Sequence, residues 1–165
     1  TGDYMDVMLA GHVSPAALCA RLAACVPQGL HAYDAFEVPL RGDALMASVV
    51  GFDYELHAPG DPEALAARAA EIMAASEVML DRTVKSRSSE GGRKKIALDI
   101  RPLISDLRIA GTDEEGEAVV RFSTRLHEER LAKPKEIVAL LGLEAARTRV
   151  VRTATLLKRA GSPVT

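Results

Sequence analysis

The chain has 165 residues, 48% hydrophobic and 27% charged, with no Trp and 4% aromatics. That balance is ordinary for a soluble globular protein of one domain, or one and a half small ones, and no window nears the roughly 18 apolar residues of a membrane span. The net charge of −2 hides a dipole: residues 1–81 hold 3 Lys/Arg against 12 Asp/Glu, a net of −9, and residues 82–165 hold 18 against 11, a net of +7.

Tyr4–Leu9 (YMDVML) alternates weakly and predicts a strand that starts almost at Thr1. The expectation from this start is a fragment or processed chain, with a missing N-terminal part belonging to the same fold. The start lacks the basic stretch and apolar core of a secretory signal, so a cytoplasmic address is expected. Ser14-Pro15 supplies an N-cap and an N1 proline, and Leu18, Leu22 and Val26 form the apolar stripe of a helix. Cys19 and Cys25 lie on different faces of that helix and read as two small apolar residues of a reduced protein. Leu30–Leu40 predicts a second strand with Tyr33, Phe36 and Val38 available for burial. A short helical turn over Ala44–Ser48 leads into a third strand, Val49–His57, where Phe52, Tyr54 and Leu56 alternate with Asp53 and Glu55.

Asp61-Pro62-Glu63 opens a helix running to Ala75, with Leu65, Ala69, Ile72 and Met73 inward. Glu77–Lys85 is a fourth strand. The order β-α-β-β-α-β predicts an α+β fold with a ferredoxin-like unit over residues 1–85. Residues 86–94 read as a flexible basic hairpin loop, rich in Ser and Gly. Residues 95–160 then read as a ββαβ extension, on the same sheet or a packed one, forming one compact domain with the first unit. Its strands are Lys95–Ile100, Leu103–Ala110 (broken off at Pro102), Ala118–Leu126 with one buried and one basic face, and Thr148–Lys158. Its helix opens at Pro134 and stops at Gly142.

The candidate binding surface is the hairpin. Arg82, Lys85, Arg87, Arg93, Lys94 and Lys95 are six basic residues within 14, against one acid, Glu90. Such a tip suits phosphate contacts with RNA, because each neutralised phosphate releases a counterion. It equally suits contact with a protein, or plain solvation that protects strand edges. Base stacking is not expected, since the basic half holds one aromatic, Phe122, which its strand pattern buries. A second constellation is Asp99, Arg101 and Pro102, with Asp99 and Arg101 expected on one strand face as a structural pair or a recognition element. On the last strand Arg152 lies opposite in face to Arg149. His12, His31, His57 and His127 are scattered and read as surface or strand-end residues. Asp53 and Glu55 are expected on opposite strand faces, unable to act together. The sequence carries no metal-ligand spacing and no nucleotide or hydrolase signature. Catalysis is not expected, unless a segment before Thr1 completes a site or a pocket is lined by titratable residues of this chain.

Five blocks together carry a resemblance: DYMDVML, PAALCARLAACVPQGLHAYDAFEVPL, KKIALDIRPLI, KPKEIVALLGLE and VVRTATLL. In this order they resemble the radical-SAM-linked protein family, a bacterial domain family of unknown function. Its members are encoded beside, or fused behind, B12-binding radical SAM proteins. The family usually begins with a segment rich in His, Arg and Gly-Phe signals, which does not precede Thr1 here. The CxxxCxxC of radical SAM enzymes is also absent. The resemblance therefore implies an accessory or substrate-presenting role without catalysis. Iron–sulfur cluster, SAM and cobalamin would belong to a radical SAM partner and not to this chain. The matched blocks point to Asp99, Arg101, Pro102 and Arg152. The second reading is an RNA-binding module; neither reading calls for a membrane.

Overall fold

The alternation that predicts a strand at Val49–His57 builds the centre of the protein's main sheet. The computed structural model describes residues 3–39, 44–85 and 92–158, which divide into two units, one of Tyr4–Ser48 and one from Val49 onward together with Asp3. Strand β1 (Val49–Ala58) pairs antiparallel with β5 (Ala118–Arg125) on one side and β6 (Arg149–Leu157) on the other. Strand β4 (Ile104–Thr112) adds to β5, giving the order β4-β5-β1-β6. Gly51 sits where a Cβ would run into the carbonyl oxygen of Thr124, so the β1–β5 approach at this point requires glycine.

One face of this sheet is apolar. Leu56 and Ala58 of β1, Val120 and Phe122 of β5, and Ile104 and Leu107 of β4 are all buried there. Helix α3 (Pro62–Ala74) covers them with Leu65, Ala69 and Ile72. Its start is the expected one: Asp61 accepts from the Glu63 N–H at 3.1 Å, and Pro62 occupies the first turn, where no N–H partner is needed. Helix α4 (Pro134–Leu140) adds Ile137 and Val138 to the same core and stops before Gly142, whose φ of 72° is the left-handed residue that ends a helix. Between α3 and β4 the chain forms a separate antiparallel pair, β2 (Met79–Lys85) with β3 (Arg93–Asp99), then one 3-10 turn at Arg101–Leu103.

In the Tyr4–Ser48 unit, α1 (Pro15–Cys25) is capped by Ser14, whose Oγ accepts from the Ala17 N–H at 3.4 Å. Helix α2 (Leu45–Ser48) is the expected short turn. Cys19 and Cys25 are both free thiols. No helix among the described residues is long and apolar enough to cross a membrane.

The α+β class stands; the ferredoxin-like order is not the one these strands adopt. Residues 4–9 and 30–39 carry no strand. The strand at 77–85 pairs with its neighbour in sequence and not with β1. Residues 79–85 pair close in sequence at a small loop-closure cost, whereas β1 meets the larger cost of distant strands that bury Leu56 and Ala58 beside Val120 and Phe122. The neighbours of β1 come instead from residues 118–125 and 149–157, so strands of the second half extend the sheet that β1 begins.

Candidate functional site

The β2–β3 hairpin divides the six expected cations into different groups. Arg82 is not a free cation. It donates from Nε to Glu136 Oε1 at 2.9 Å, from Nη2 to Glu136 Oε2 at 2.7 Å, and from Nη2 to the Leu131 carbonyl at 3.0 Å. Its side chain is 13% exposed and that of Glu136 is 11%, so this bidentate pair fastens the hairpin to the start of α4. Farther out, Val84 faces Lys94, while Thr83 faces Lys95 and Lys85 faces Arg93. Residues directly opposite share a face, so Lys94 lies on the Arg82 side and Lys85, Arg93 and Lys95 hold positions on the other. Arg93, Lys94 and Lys95 are exposed. Arg87, with most of the loop expected at 86–94, lies outside the described residues.

Asp99 and Arg101 do not share a strand face, because β3 ends at Asp99 and the 3-10 turn follows. They meet through the backbone: Asp99 Oδ1 accepts from the N–H of Arg101 at 3.0 Å and of Val78 at 2.8 Å. The Arg101 guanidinium donates to Met73 O from Nε (3.2 Å) and Nη2 (2.7 Å), and to Ile104 O from Nη1 (2.9 Å). It thus links a carbonyl at the end of α3 to one at the start of β4. The Pro102 carbonyl accepts from Arg125 Nε at 2.7 Å. Arg152 lies 5.0 Å above the Phe52 ring and pairs with Asp3 at 2.9 Å. Burial raises the pKa of the neighbouring Tyr54 phenol, and the Arg152 charge opposes that rise.

The polar face of the main sheet holds an arrangement that the sequence reading missed. Asp53, Glu55 and His57 are two residues apart along β1, so they share one face; opposite faces would need odd spacing. Ser123 Oγ donates to Asp53 Oδ1 at 2.6 Å, and Arg121 Nε donates to Glu55 Oε2 at 3.0 Å. His57 places Nε2 3.1 Å from Glu55 Oε1 and Nδ1 2.7 Å from Asp113 Oδ2. It sits near the end of its strand, one of the two places expected, but is only 8% exposed. Ionised carboxylates only accept, so the doubly protonated ring is the form that satisfies both contacts. The Arg121 hydrogen bond, then that from His57, holds the Glu55 carboxyl below its ordinary range. The His57 contact does the same for Asp113. The available signal was the acid-x-acid-x-His spacing on a strand.

Asp113, Glu115 and Glu117 bring carboxylate oxygens within 4.8 Å of one another. Asp113 Oδ1 already takes the N–H groups of Glu115 (3.0 Å) and Glu117 (2.9 Å), and Oδ2 takes His57. This geometry is that of a closed turn.

A cavity of about 320 Å³ lies at the root of the hairpin. Ala97, Leu98, Pro102 and Leu103 give it an apolar part; Asp99, His127, Glu128 and Arg130 give it a polar one. The turn at His127–Arg130, which lines it, is a two-residue hairpin. His127 and Arg130 exchange both backbone hydrogen bonds, at 3.0 and 2.9 Å, while Glu128 (φ 48°) and Glu129 (φ 59°) are left-handed. Asn-Gly is the usual signal for such a turn, and its absence hid this one.

Residues 1–134 match the family described as an uncharacterized protein conserved in bacteria (DUF2344). The chain belongs to this family. No curated protein and no solved structure matches it. The DUF2344 match takes in the whole hairpin, the His57 network and the cavity, and ends at the first residue of α4. Glu136 and Arg152 lie beyond it.

Proposed function

We propose that this DUF2344 chain is a non-catalytic accessory or substrate-presenting module that meets a radical SAM enzyme through the outer end of its β2–β3 hairpin. One observation carries the reading: the Arg82–Glu136 pair anchors the hairpin to α4, while Arg93, Lys94 and Lys95 stand exposed beyond that anchor. Cations on a fixed ribbon lose little conformational freedom on docking, and they favour an acidic surface. In this reading the iron–sulfur cluster, SAM and cobalamin are held by the enzyme. The radical SAM association rests on the resemblance of the five sequence blocks.

The same exposed cations support an RNA-binding module as the second reading. Phe122 is 1% exposed in the core, so such binding would use phosphates and not stacked bases. Capture of the protein from native lysate, with and without nuclease, separates the two. A radical SAM protein recovered equally in both samples supports the accessory reading, and its loss from R93E/K94E/K95E places the contact on the hairpin. Nucleic acid in the untreated sample, with protein partners lost on nuclease treatment, supports the RNA reading and removes the first.

A further inference from the structure

We propose that the cavity at the His127–Arg130 turn binds a small zwitterion, a free α-amino acid carrying its ammonium, carboxylate and a compact apolar side chain. The proposal is independent of what the hairpin contacts. A volume of about 320 Å³ is of the size that holds one small molecule. Pro102 and Leu103 supply apolar lining, against which an aliphatic side chain loses its water.

The polar lining has two signs. His127 and Arg130 are directly opposite across the turn, so their side chains leave the same face of the ribbon, and both line the cavity. An Arg fork beside an imidazole suits a carboxylate. Asp99 and Glu128 are the acids on the same cavity, and they suit an ammonium. Asp99 is held in place by the N–H groups of Val78 and Arg101, so this part of the lining is fixed before any ligand arrives.

The backbone of the turn is the independent observation. Glu128 and Glu129 are the described non-glycine residues with positive φ. Left-handed backbone is strained for a residue with a long side chain, and Gly or Asn would relieve it. Such strain gathers where a binding site needs a particular side chain in a particular place. Glu128 lines the cavity; Glu129 does not.

The test is an NMR titration of the full 165-residue chain with the standard L-amino acids one at a time. The tightest is then compared with its analogues lacking the amino or the carboxyl group. Expected are saturable shifts at Leu98, Leu103 and His127, with each one-ended analogue about tenfold weaker or worse. Arg130→Gln should weaken the amino acid by a similar factor and leave the amine analogue unaffected; Glu128→Gln should do the converse. Glu129→Gly should raise Tm and leave the affinity unchanged. The proposal is overturned if no amino acid gives saturable shifts at those residues. Equal binding of all three probes, or insensitivity to both R130Q and E128Q in folded variants, overturns it as well.

Discussion

Tyr4–Ser48 and Val49–Lys158 respond differently to the same kind of sequence pattern. Among the described residues, every buried side chain belongs to the second region, while Met8, Tyr33 and Met5 of the first are 86%, 80% and 70% exposed. Helix α1 nevertheless forms, with none of its residues buried. Its hydrogen bonds are internal, and Ser14 and Pro15 are local signals that need no partner. A strand has no such independence. Its N–H and C=O groups must pair with another segment, and the alternation at 4–9 and 30–39 specifies a face without specifying a neighbour.

The sharpest way to break this comparison is to remove one ring from each region. Phe122 is 1% exposed and stacks on Tyr54 at 4.9 Å between ring centres. Phe122→Ala should lower unfolding free energy by about 3–5 kcal/mol in urea titrations. Phe36 is 62% exposed, and Phe36→Ala should stay within about 0.5 kcal/mol of the parent. Equal losses would mean that the first region hides a core of its own.

Ion pairs offer the next contrast. The Arg82–Glu136 pair is nearly buried, whereas His12 and Glu37 meet at 3.2 Å with side chains 79% and 66% exposed. Glu136→Gln leaves a buried guanidinium without its countercharge and should cost about 3 kcal/mol. Replacing both partners by Met should cost less than this single change. Glu37→Gln should leave the urea midpoint where it was. A double replacement worse than E136Q would show that the pair itself, and not its unpaired remnant, sets the energy.

Legibility followed the same division between local and long-range information. The caps at Ser14 and Asp61, the stop at Gly142 and the face alternation of β1 and β5 were readable, because each depends on residues a few positions apart. Strand neighbours were not. Nothing in residues 77–85 states that they pair with 93–99 and leave β1 to strands from the second half. The basic cluster was readable as composition, but Arg82 was indistinguishable from Lys94 until Glu136, 54 residues away, was brought beside it. His57 was hidden for the same reason: Asp113 reaches it from a turn 56 residues on. The cavity was least legible, since its lining joins residues 97–103 to a turn whose sequence lacks the expected glycine.

Arg101 tests a smaller step of the same contrast, a side chain that satisfies backbone groups where packing alone leaves them open. Its guanidinium reaches two carbonyls through three nitrogens. An ammonium cannot reproduce that fork, so Arg101→Lys should cost about 1–2 kcal/mol, read as a lower urea midpoint with unchanged slope. A midpoint equal to the parent would make Met73 O and Ile104 O adequately solvated without it.

The smallest effect expected concerns protons on the polar sheet face. Glu55 and Asp113 both have folded-state pKa values below their ordinary ones. On acidification the unfolded chain therefore takes up their protons first. Their contribution is complete above the unfolded value, about 4, and disappears as pH falls through the lower folded values. His57 is the leading cause for Asp113 but only the second for Glu55, where Arg121 leads. His57→Gln should thus return the Asp113 carboxyl toward its ordinary pKa in an NMR titration, while Glu55 stays depressed. Arg121→Gln should reverse the pattern. Each variant should also flatten the fall of the urea midpoint below about pH 4. If Asp113 titrates unchanged in H57Q, the 2.7 Å contact does not hold its proton balance. The fastening of the 113–117 turn to β1 would then rest on the pairing of Ala118 with Ala58 where β5 begins.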